Sequence, residues 1–280
     1  MRLRPPTRGL KWYFEHNDGR LIHKWDHYFD IYERHFDRFR GAAPRVLEIG
    51  VSHGGSLQMW RQYFGRRSVI VGIDIDERTA SLAEPGIHVH VGDQSDTGFL
   101  STLIDRHGPF DIVIDDGSHL PVHQIASLEF LWPRLNDGGV YLVEDLATSY
   151  WPEYGGGLGE PGSFIEFTKR LIDQANAFNS RQADFQPTDW TRTITGLHVY
   201  DGVVVIDKGS RTAPTTRLTG RPAFDSLFGR PADEAIDARH RQQLAELGRP
   251  AARLRRLRRD PVGTIRRGVT RLRRLGRSAT

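Results

Sequence analysis

Five short apolar runs, separated by helical patterns, constrain the fold of this chain more than any other feature. Strands of a parallel sheet are buried on both faces and therefore appear as nearly continuous apolar runs. Because the connections between runs and helical patterns are short, the repetition predicts a mostly parallel, doubly wound α/β sheet with helices on both faces. The five runs, each ending in polar residues, are residues 45–50, 69–74, 87–93, 112–116 and 140–145.

The regular alternation ends near Tyr150, and the rest of the core has a different pattern. Residues 148–163 combine aromatic residues with many glycines, a composition typical of a loop over a site, and we predict a lid there. A helical pattern begins at Phe164, and two β-rich runs then flank Asp201-Gly202, a strong signal for a hairpin. A parallel sheet of seven strands that closes with an antiparallel hairpin is typical of class I methyltransferases.

Length and composition fit one large α/β domain with short extensions, since 280 residues at 38% apolar can bury a substantial core. We expect a helical N-terminal segment at 1–43, with aromatic residues at helical spacing from Leu21 to Phe39, a methyltransferase core at 44–210 and a C-terminal extension at 211–280. No apolar run reaches the roughly 18 residues that cross a bilayer, and no signal peptide is recognisable, so we expect a cytoplasmic protein. The absence of cysteine leaves oxygen and imidazole as metal ligands.

The positive charge of the chain is concentrated at its C-terminal end. Residues 251–280 hold eleven arginines against the single acidic residue Asp260, so residues 1–250 carry a net charge of about −6. Leu254 and Leu257 lie at helical spacing among these arginines, a pattern that fits contact with an anionic membrane or a nucleic acid. We favour a solvated tail, expect no nucleic-acid partner, and keep weak contact with an anionic membrane as an alternative.

The glycine turn after the first run, Gly50-Val51-Ser52-His53-Gly54, fits three kinds of site. Glycine lets a nucleotide approach the backbone closely, but an NAD site would have a glycine where Ser52 stands. The turn also matches the nucleophile elbow of α/β-hydrolases, with Ser52 as the nucleophile. Such a hydrolase needs a histidine late in the chain, and the available His198 lies within a predicted strand.

Polar residues at the ends of the first three runs favour the third kind of site, one for S-adenosylmethionine. Glu48 precedes the glycine turn, where methyltransferases use an acidic residue to organise the methionine end of the cofactor. Asp74 ends the second run, where a carboxylate can accept both ribose hydroxyls. Taken singly, Asp74 could instead cap a helix and Glu48 could be a buried carboxylate bonded to backbone amides. The predicted cofactor-binding residues are Glu48, Gly50, Ser56, Asp74, Asp93, Gln94 and Asp115.

The fourth and fifth runs bring a rim of carboxylates to one edge of the predicted sheet, because the carboxyl ends of parallel strands form the ligand crevice. Asp115 and Asp116 are adjacent, and successive residues leaving a strand alternate faces, so we expect one to face the cofactor and the other the acceptor. Carboxylates gathered in this way repel one another unless a cation or a shared proton joins them. Oxygen ligands favour Mg²⁺, with Mn²⁺ or Ca²⁺ as alternatives.

One histidine follows the fourth run closely. His119 lies three residues beyond Asp116, in the turn before the next predicted helix, and is our candidate for the general base. Imidazole suits that role because histidine ordinarily titrates near cellular pH. His123 is the competing candidate, ranked lower because it lies within the helix.

Several motifs resemble those of the metal-dependent sugar O-methyltransferases of actinobacteria, the mycinamicin and macrocin O-methyltransferase family. The resemblance implies S-adenosylmethionine as methyl donor, Mg²⁺ held by Asp116, Glu144 and Asp145, and His119 as general base. It extends from about Lys24 to Lys208, although the chain has no large extra N-terminal domain before these motifs and adds an arginine-rich tail. The matching motifs are residues 46–50, 92–96, 107–111, 114–119, 144–145 and 150–151.

We therefore expect an O-methyltransferase that uses S-adenosylmethionine and Mg²⁺ to methylate a sugar hydroxyl. The expected acceptor is a small molecule or oligosaccharide with vicinal hydroxyls, either a glycoside of a natural product or a mannoside or rhamnoside of an actinobacterial glycan. We also expect a homo-oligomer. The alternatives are a serine hydrolase that uses Ser52 and a binding module that uses the arginine tail.

Overall fold

The computed structural model describes residues 8–217 and the isolated positions 219, 220, 238 and 242. Contacts divide the chain into two units, and the first, Met1–Pro214, contains the sheet and its covering helices. The arginine-rich tail at 251–280 lies outside the described residues. Within the described part of the chain, every helix is too short or too polar to cross a membrane.

Seven strands form one sheet, and its architecture is the one predicted from the apolar runs. The strands are β1 (Arg45–Ile49), β2 (Val69–Asp74), β3 (Ile87–Val91), β4 (Ile112–Asp115), β5 (Val140–Val143), β6 (Ile194–Val199) and β7 (Val204–Lys208). Their order is β3-β2-β1-β4-β5-β7-β6, with parallel pairing from β3 to β5 and antiparallel pairing of β7 with both β5 and β6. The predicted fold class is confirmed.

Helices cover both faces of this sheet. They are α1 (Leu10–Glu15), α2 (Tyr28–Phe36), α3 (Gly55–Phe64), α4 (Thr97–His107), α5 (Pro121–Leu131), α6 (Phe164–Asn176) and α7 (Asp189–Thr193). Alternate strand residues point to opposite faces, so Val46 packs in the cluster with α1, α2 and α3, whereas Leu47 packs in the cluster with α4, α5 and α6. Each cluster is a separate apolar core on one side of the sheet.

The N-terminal segment departs from the prediction. The amphipathic spacing from Leu21 to Phe39 predicts one helix, but α2 begins only at Tyr28 and residues 21–27 form no helix. A helix is also present earlier, at α1. The irregular segment packs closely on α3, where the backbone oxygens of Arg20 and Leu21 leave no room for a side chain at Gly55. Tertiary packing therefore overrides the helical pattern there.

The predicted lid segment has local structure of its own. Short 3₁₀ turns lie at Leu146–Tyr150 and Pro152–Tyr154, and the glycine-rich stretch begins after them. The side chains of Tyr150 and Trp151 are exposed, whereas Thr148 and Ser149 are buried. The aromatic residues of this segment therefore face solvent next to the carboxyl end of β5.

Two histidines on β3 and α4 make stability depend on pH. Nε2 of His90 and Nε2 of His107 lie 2.8 Å apart, and burial, followed by nearby positive groups, lowers the pKa of His107 from 6.5 to about 4. The unfolded chain therefore takes up a proton in this range that the folded chain does not. We expect the free energy of unfolding to fall as pH falls from 6.5 towards about 4.

Urea unfolding at a series of pH values checks this expectation. His107→Gln should flatten the pH dependence, while His16→Gln, at an exposed position on the opposite side of the sheet from α4, should leave it unchanged. An equal slope for His107→Gln and the wild-type chain would contradict it.

Candidate active site

Two adjoining cavities lie at the carboxyl ends of the parallel strands. Their volumes are about 270 Å³ and about 170 Å³. Gly50, Asp74 and Gly117 line both, so the cavities form one crevice that runs across β1, β2 and β4. This is the edge at which open α/β sheets bind ligands.

Most of the residues predicted from the sequence border this crevice. Those that line the first cavity are Gly50, Ser56, Asp74, Asp116, His119 and Asp145, and those that line the second are Gly50, Asp74, Asp93 and Gln94. Glu48, Asp115 and Glu144 line neither cavity, because their side chains are almost fully buried behind its wall. In this arrangement Glu48 and Asp115 can act on a ligand only through the residues that they contact, and Oε2 of Glu144 is bonded to Lys24.

The glycine turn is held against the end of β4. Gly50 has φ +92°, a conformation that favours glycine, and a Cβ there would collide with the carbonyl oxygen of Asp116. Oδ2 of Asp74 accepts hydrogen bonds from the backbone N–H groups of Val51 (2.8 Å) and Ser52 (2.9 Å). Asp74 therefore shapes the turn as well as lining both cavities.

Asp115 and Asp116 point in opposite directions, as the alternation of strand residues predicts. The carboxylate of Asp115 accepts hydrogen bonds from Nε2 of Gln94 at 3.1 and 3.2 Å and from Oγ of Ser127 at 2.9 Å. Burial raises the pKa of Asp115, and these hydrogen bonds oppose the shift. Oε1 of Gln94 in turn accepts the backbone N–H of Ser118 at 2.8 Å. Asp115 thus fixes the amide that borders the second cavity.

Lys24 is the functional residue that the sequence did not reveal. Its ammonium lies 2.5 Å from Oδ2 of Asp116, 2.9 Å from Oε2 of Glu144 and 3.7 Å from Oε1 of Glu48, and its side chain is only 3% exposed. Asp116 and Glu144 are 92 and 120 residues away from Lys24 in the chain, so no local sequence pattern indicates their contact with it. The only signal was indirect, namely that the rim of carboxylates requires a cation.

The charges in this cluster depend on one another. Burial alone would lower the pKa of Lys24, but the surrounding carboxylates outweigh burial and raise it well above its ordinary value. Burial raises the pKa of Glu144 and of Glu48, while Lys24 opposes both shifts. Lys24 is therefore a permanent cation, and it makes ionised carboxylates tolerable at a buried strand end.

A second group of donors lies beside this cluster, at the mouth of the first cavity. Ligand atoms of Asp116, His119 and Asp145 all lie within 4.8 Å of one another, and Nε2 of His119 is 3.9 Å from Oδ2 of Asp145. Oδ1 of Asp145 accepts hydrogen bonds from the hydroxyl of Tyr28 at 2.9 Å and from Nε1 of Trp25 at 3.1 Å. The irregular segment and α2 thus position the acidic end of β5.

These donors fit a hard divalent cation. The carboxylates of Asp116 and Asp145 provide the oxygen ligands that such a cation prefers. Nδ1 of the adjacent His119 is buried without a hydrogen-bond partner among the described residues. Glu144, also predicted as a ligand, lies outside this group because its Oε2 is bonded to Lys24. Asp116 belongs to both groups, so a cation bound at the mouth would share that carboxylate with Lys24.

Backbone strain is concentrated at the same place. Ser52, His119 and Asp145 all line the first cavity and have φ between +48° and +57° although none is glycine. Such conformations cost about 1 kcal/mol or more each and persist only where the surroundings impose them. Strain of this kind is typical of functional sites.

The sheet order, the glycine turn after β1 and the acidic ends of β4 and β5 define a class I methyltransferase fold. Residues 47–146 match the family model described as a methyltransferase domain. The structure of the MycE methyltransferase from the mycinamycin biosynthetic pathway, in complex with Mg, SAH and mycinamycin VI, matches with a TM-score of 0.61 and 36% identity over 72% of this chain and 54% of that chain.

Sequence comparison identifies relatives with more specific names. The chain is 43% identical over 192 residues to 8-demethyl-8-alpha-L-rhamnosyl tetracenomycin-C 2'-O-methyltransferase of Streptomyces olivaceus, covering 65% of this chain and 50% of that protein. It is 40% identical over 204 residues to demethylmacrocin O-methyltransferase of Streptomyces fradiae, covering 68% and 51%. The chain spans about half the length of the curated relatives it matches. The resemblance to sugar O-methyltransferases is confirmed.

Replacing Lys24 tests the charge cluster. Lys24→Met should lower the free energy of unfolding at neutral pH by about 3–5 kcal/mol, because it leaves buried carboxylates without their cation. Lys169→Met, at an exposed position on α6, should change stability by about 0.5 kcal/mol or less. Urea unfolding in chelator-treated buffer measures both variants. Equal stability of the two variants would show that the carboxylates do not need Lys24.

Proposed function

We propose that this chain is an O-methyltransferase that uses S-adenosylmethionine and Mg²⁺ to methylate a hydroxyl of a sugar. The supporting observation is that the glycine turn after β1 and the group Asp116, His119 and Asp145 border one cavity. A methyl donor on the turn and a hydroxyl beside His119 would meet there. The names of the relatives describe O-methyltransferases of a rhamnosyl tetracenomycin and of demethylmacrocin, and the MycE structure holds Mg, SAH and mycinamycin VI.

On the donor side, we assign the first cavity to the methionine end of the cofactor and the second to its adenosine end. Glu48 contributes indirectly, because its Oε2 accepts the hydroxyl of Ser56 at 2.8 Å and orients it. Asp115 contributes indirectly by fixing Gln94. The residues proposed to contact the cofactor directly are Gly50, Ser56, Asp74, Asp93 and Gln94.

On the acceptor side, we assign Asp116, Glu144 and Asp145 to Mg²⁺ and His119 to the proton. Mg²⁺, when bound, would lower the pKa of an acceptor hydroxyl and anchor its vicinal neighbour. His119 accepts the proton that leaves this hydroxyl as its oxygen bonds to the methyl carbon, while the bond from that carbon to the sulfonium sulfur breaks and S-adenosylhomocysteine leaves. Asp145, 3.9 Å from Nε2, stabilises the imidazolium that results. Lys24 holds Asp116 and Glu144 in place without the cation, and Glu144 would exchange its bond to Lys24 for the cation.

For the acceptor, we propose a glycoside of a natural product or a mannoside or rhamnoside of a glycan. The predicted lid at 148–163 would cover it, and the exposed rings of Tyr150 and Trp151 offer apolar surface to a sugar face. The core at 44–210 and the flanking segments at 1–43 and 211–280 remain our proposed division of the chain. Homo-oligomer formation, a cytoplasmic location and weak membrane contact through the tail stay predictions.

Cofactor binding and metal dependence test the proposed function. We expect the purified chain to bind S-adenosylmethionine in a calorimetric titration and to transfer its methyl group to a rhamnoside or mannoside acceptor. A chelator should reduce turnover by about tenfold or more, and added Mg²⁺ should restore it. Failure to bind S-adenosylmethionine, or turnover that a chelator leaves unchanged, would refute the proposal.

The role of His119 has its own test. His119→Ala should retain affinity for S-adenosylmethionine and Mg²⁺ and lose turnover by about 10²–10⁴-fold, because only proton transfer is removed. His16→Ala is the control, since His16 is exposed and lines neither cavity, and His123→Ala tests the competing candidate, which lines the second cavity. If His119→Ala weakened Mg²⁺ binding as well, His119 would be a metal ligand instead of the base.

The serine hydrolase alternative has less support. Ser52 lines the first cavity, but His198, the histidine that this mechanism needs, lies on β6 and is bonded to Asp207. A fluorophosphonate probe that leaves Ser52 unlabelled would agree with this assignment. The arginine tail, the basis of the binding-module alternative, lies outside the described residues.

A further inference from the structure

A second group of metal-ligating side chains lies away from the crevice, where α2 packs on the closing hairpin. His35 in the last turn of α2, His198 on β6 and Asp207 on β7 place one ligand atom each within 4.8 Å of the others. None of the three lines either cavity of the candidate active site. The proposed methyl transfer has no use for them.

Two of the three ligand atoms are already close to the spacing found around a coordinated ion. Nε2 of His198 donates a hydrogen bond to Oδ2 of Asp207 at 2.9 Å, and the rings of His35 and His198 are 4.6 Å apart between centroids. A tetrahedral ion with ligand bonds of about 2.0–2.1 Å separates its ligand atoms by about 3.3 Å. Shifts of a few tenths of an ångström at His198 and Asp207 would therefore admit the ion in place of the bridging proton.

Neighbouring groups orient these ligands. The hydroxyl of Tyr200 lies 2.9 Å from Nε2 of His35, and Nη2 of Arg38 donates to Oδ1 of Asp207 at 3.0 Å, which leaves Oδ2 facing His198. Partners of this kind fix the rings and carboxylates of metal sites. Arg38 also places a positive charge beside Asp207, so the carboxylate binds an ion less tightly than it would without that pair.

Glycine lies against the two ligand atoms of the hairpin. The pairing of β6 with β7 is irregular between Ile194 and Gly196. A Cβ at Gly196 would lie 2.9 Å from Nε2 of His198 and 3.0 Å from Oδ2 of Asp207. A larger residue would displace one of these atoms, so glycine lets both approach the same place.

We propose that His35, His198 and Asp207 bind a transition-metal dication of the zinc class. Two imidazoles and one carboxylate suit zinc, whereas Mg²⁺ prefers oxygen ligands alone. His35 is 5% exposed, and its ring packs against that of His198. The side chain of His198 is 40% exposed, which gives the ion a path of entry. A bound ion would join α2 to the hairpin.

Calorimetric titration of zinc into metal-stripped full-length chain, with excess Mg²⁺ present, tests this site. The excess Mg²⁺ competes for the active-site carboxylates, and the His119→Ala background removes the imidazole that would favour zinc over Mg²⁺ there. In this background, we expect the chain to bind about one zinc ion at this site. His198→Gln should abolish that binding or lower its affinity by about tenfold or more. Zinc should also raise the melting temperature of the His119→Ala chain but not that of the double variant.

One control variant and one substitute for the test variant make the outcome unambiguous. His107→Gln in the same background removes a histidine from a different cluster, next to His88 and His90, and should leave zinc binding unchanged. Asp207→Asn repeats the test if circular dichroism shows that His198→Gln does not fold. The proposal would be overturned if zinc bound with equal stoichiometry and affinity with and without His198. It would also be overturned if His107→Gln, and not His198→Gln, abolished zinc binding.

Discussion

Carboxylates at the ends of three neighbouring strands share the ammonium of Lys24. Glu48 on β1 and Glu144 after β5 are buried, Asp116 after β4 is partly exposed, and without Lys24 these like charges would face one another. Removing one partner from a buried ion pair costs several kcal/mol, because the other charge remains without compensation. The edge of the sheet that carries the crevice therefore depends on a residue that precedes the sheet in the chain.

Much of the fold was predictable because a buried strand appears in the sequence as a short run of apolar residues. Apolar runs identified the strands, and Asp201-Gly202 identified the hairpin between β6 and β7. The period of two along β4 also separated Asp115 from Asp116 correctly. What failed was the segment from Leu21 to His27, whose backbone packs against α3 without forming a helix, so that the helix begins only at Tyr28.

The site was predictable only in part, because some of its residues are placed by strand ends and others by tertiary contacts. Strand ends place Asp74, Asp116 and Asp145 at one edge, so their proximity follows from topology. Lys24 contacts Asp116 and Tyr28 contacts Asp145, and each pair is more than ninety residues apart in the chain. Their positions in the sequence therefore do not indicate these contacts. Burial of Asp115 behind Gln94 depends equally on side chains from several elements.

Helix α2 contacts both groups of candidate metal ligands, through Tyr28 at its start and His35 near its end. This matters for how the domain is delimited, because the matched methyltransferase region at 47–146 contains the acidic strand ends but not Lys24 or Tyr28. A fragment trimmed to the matched region would keep the carboxylates and discard the ammonium that they share. Charge compensation at the crevice is thus a property of the longer chain, and a fragment that retains it must extend at least as far back as Lys24.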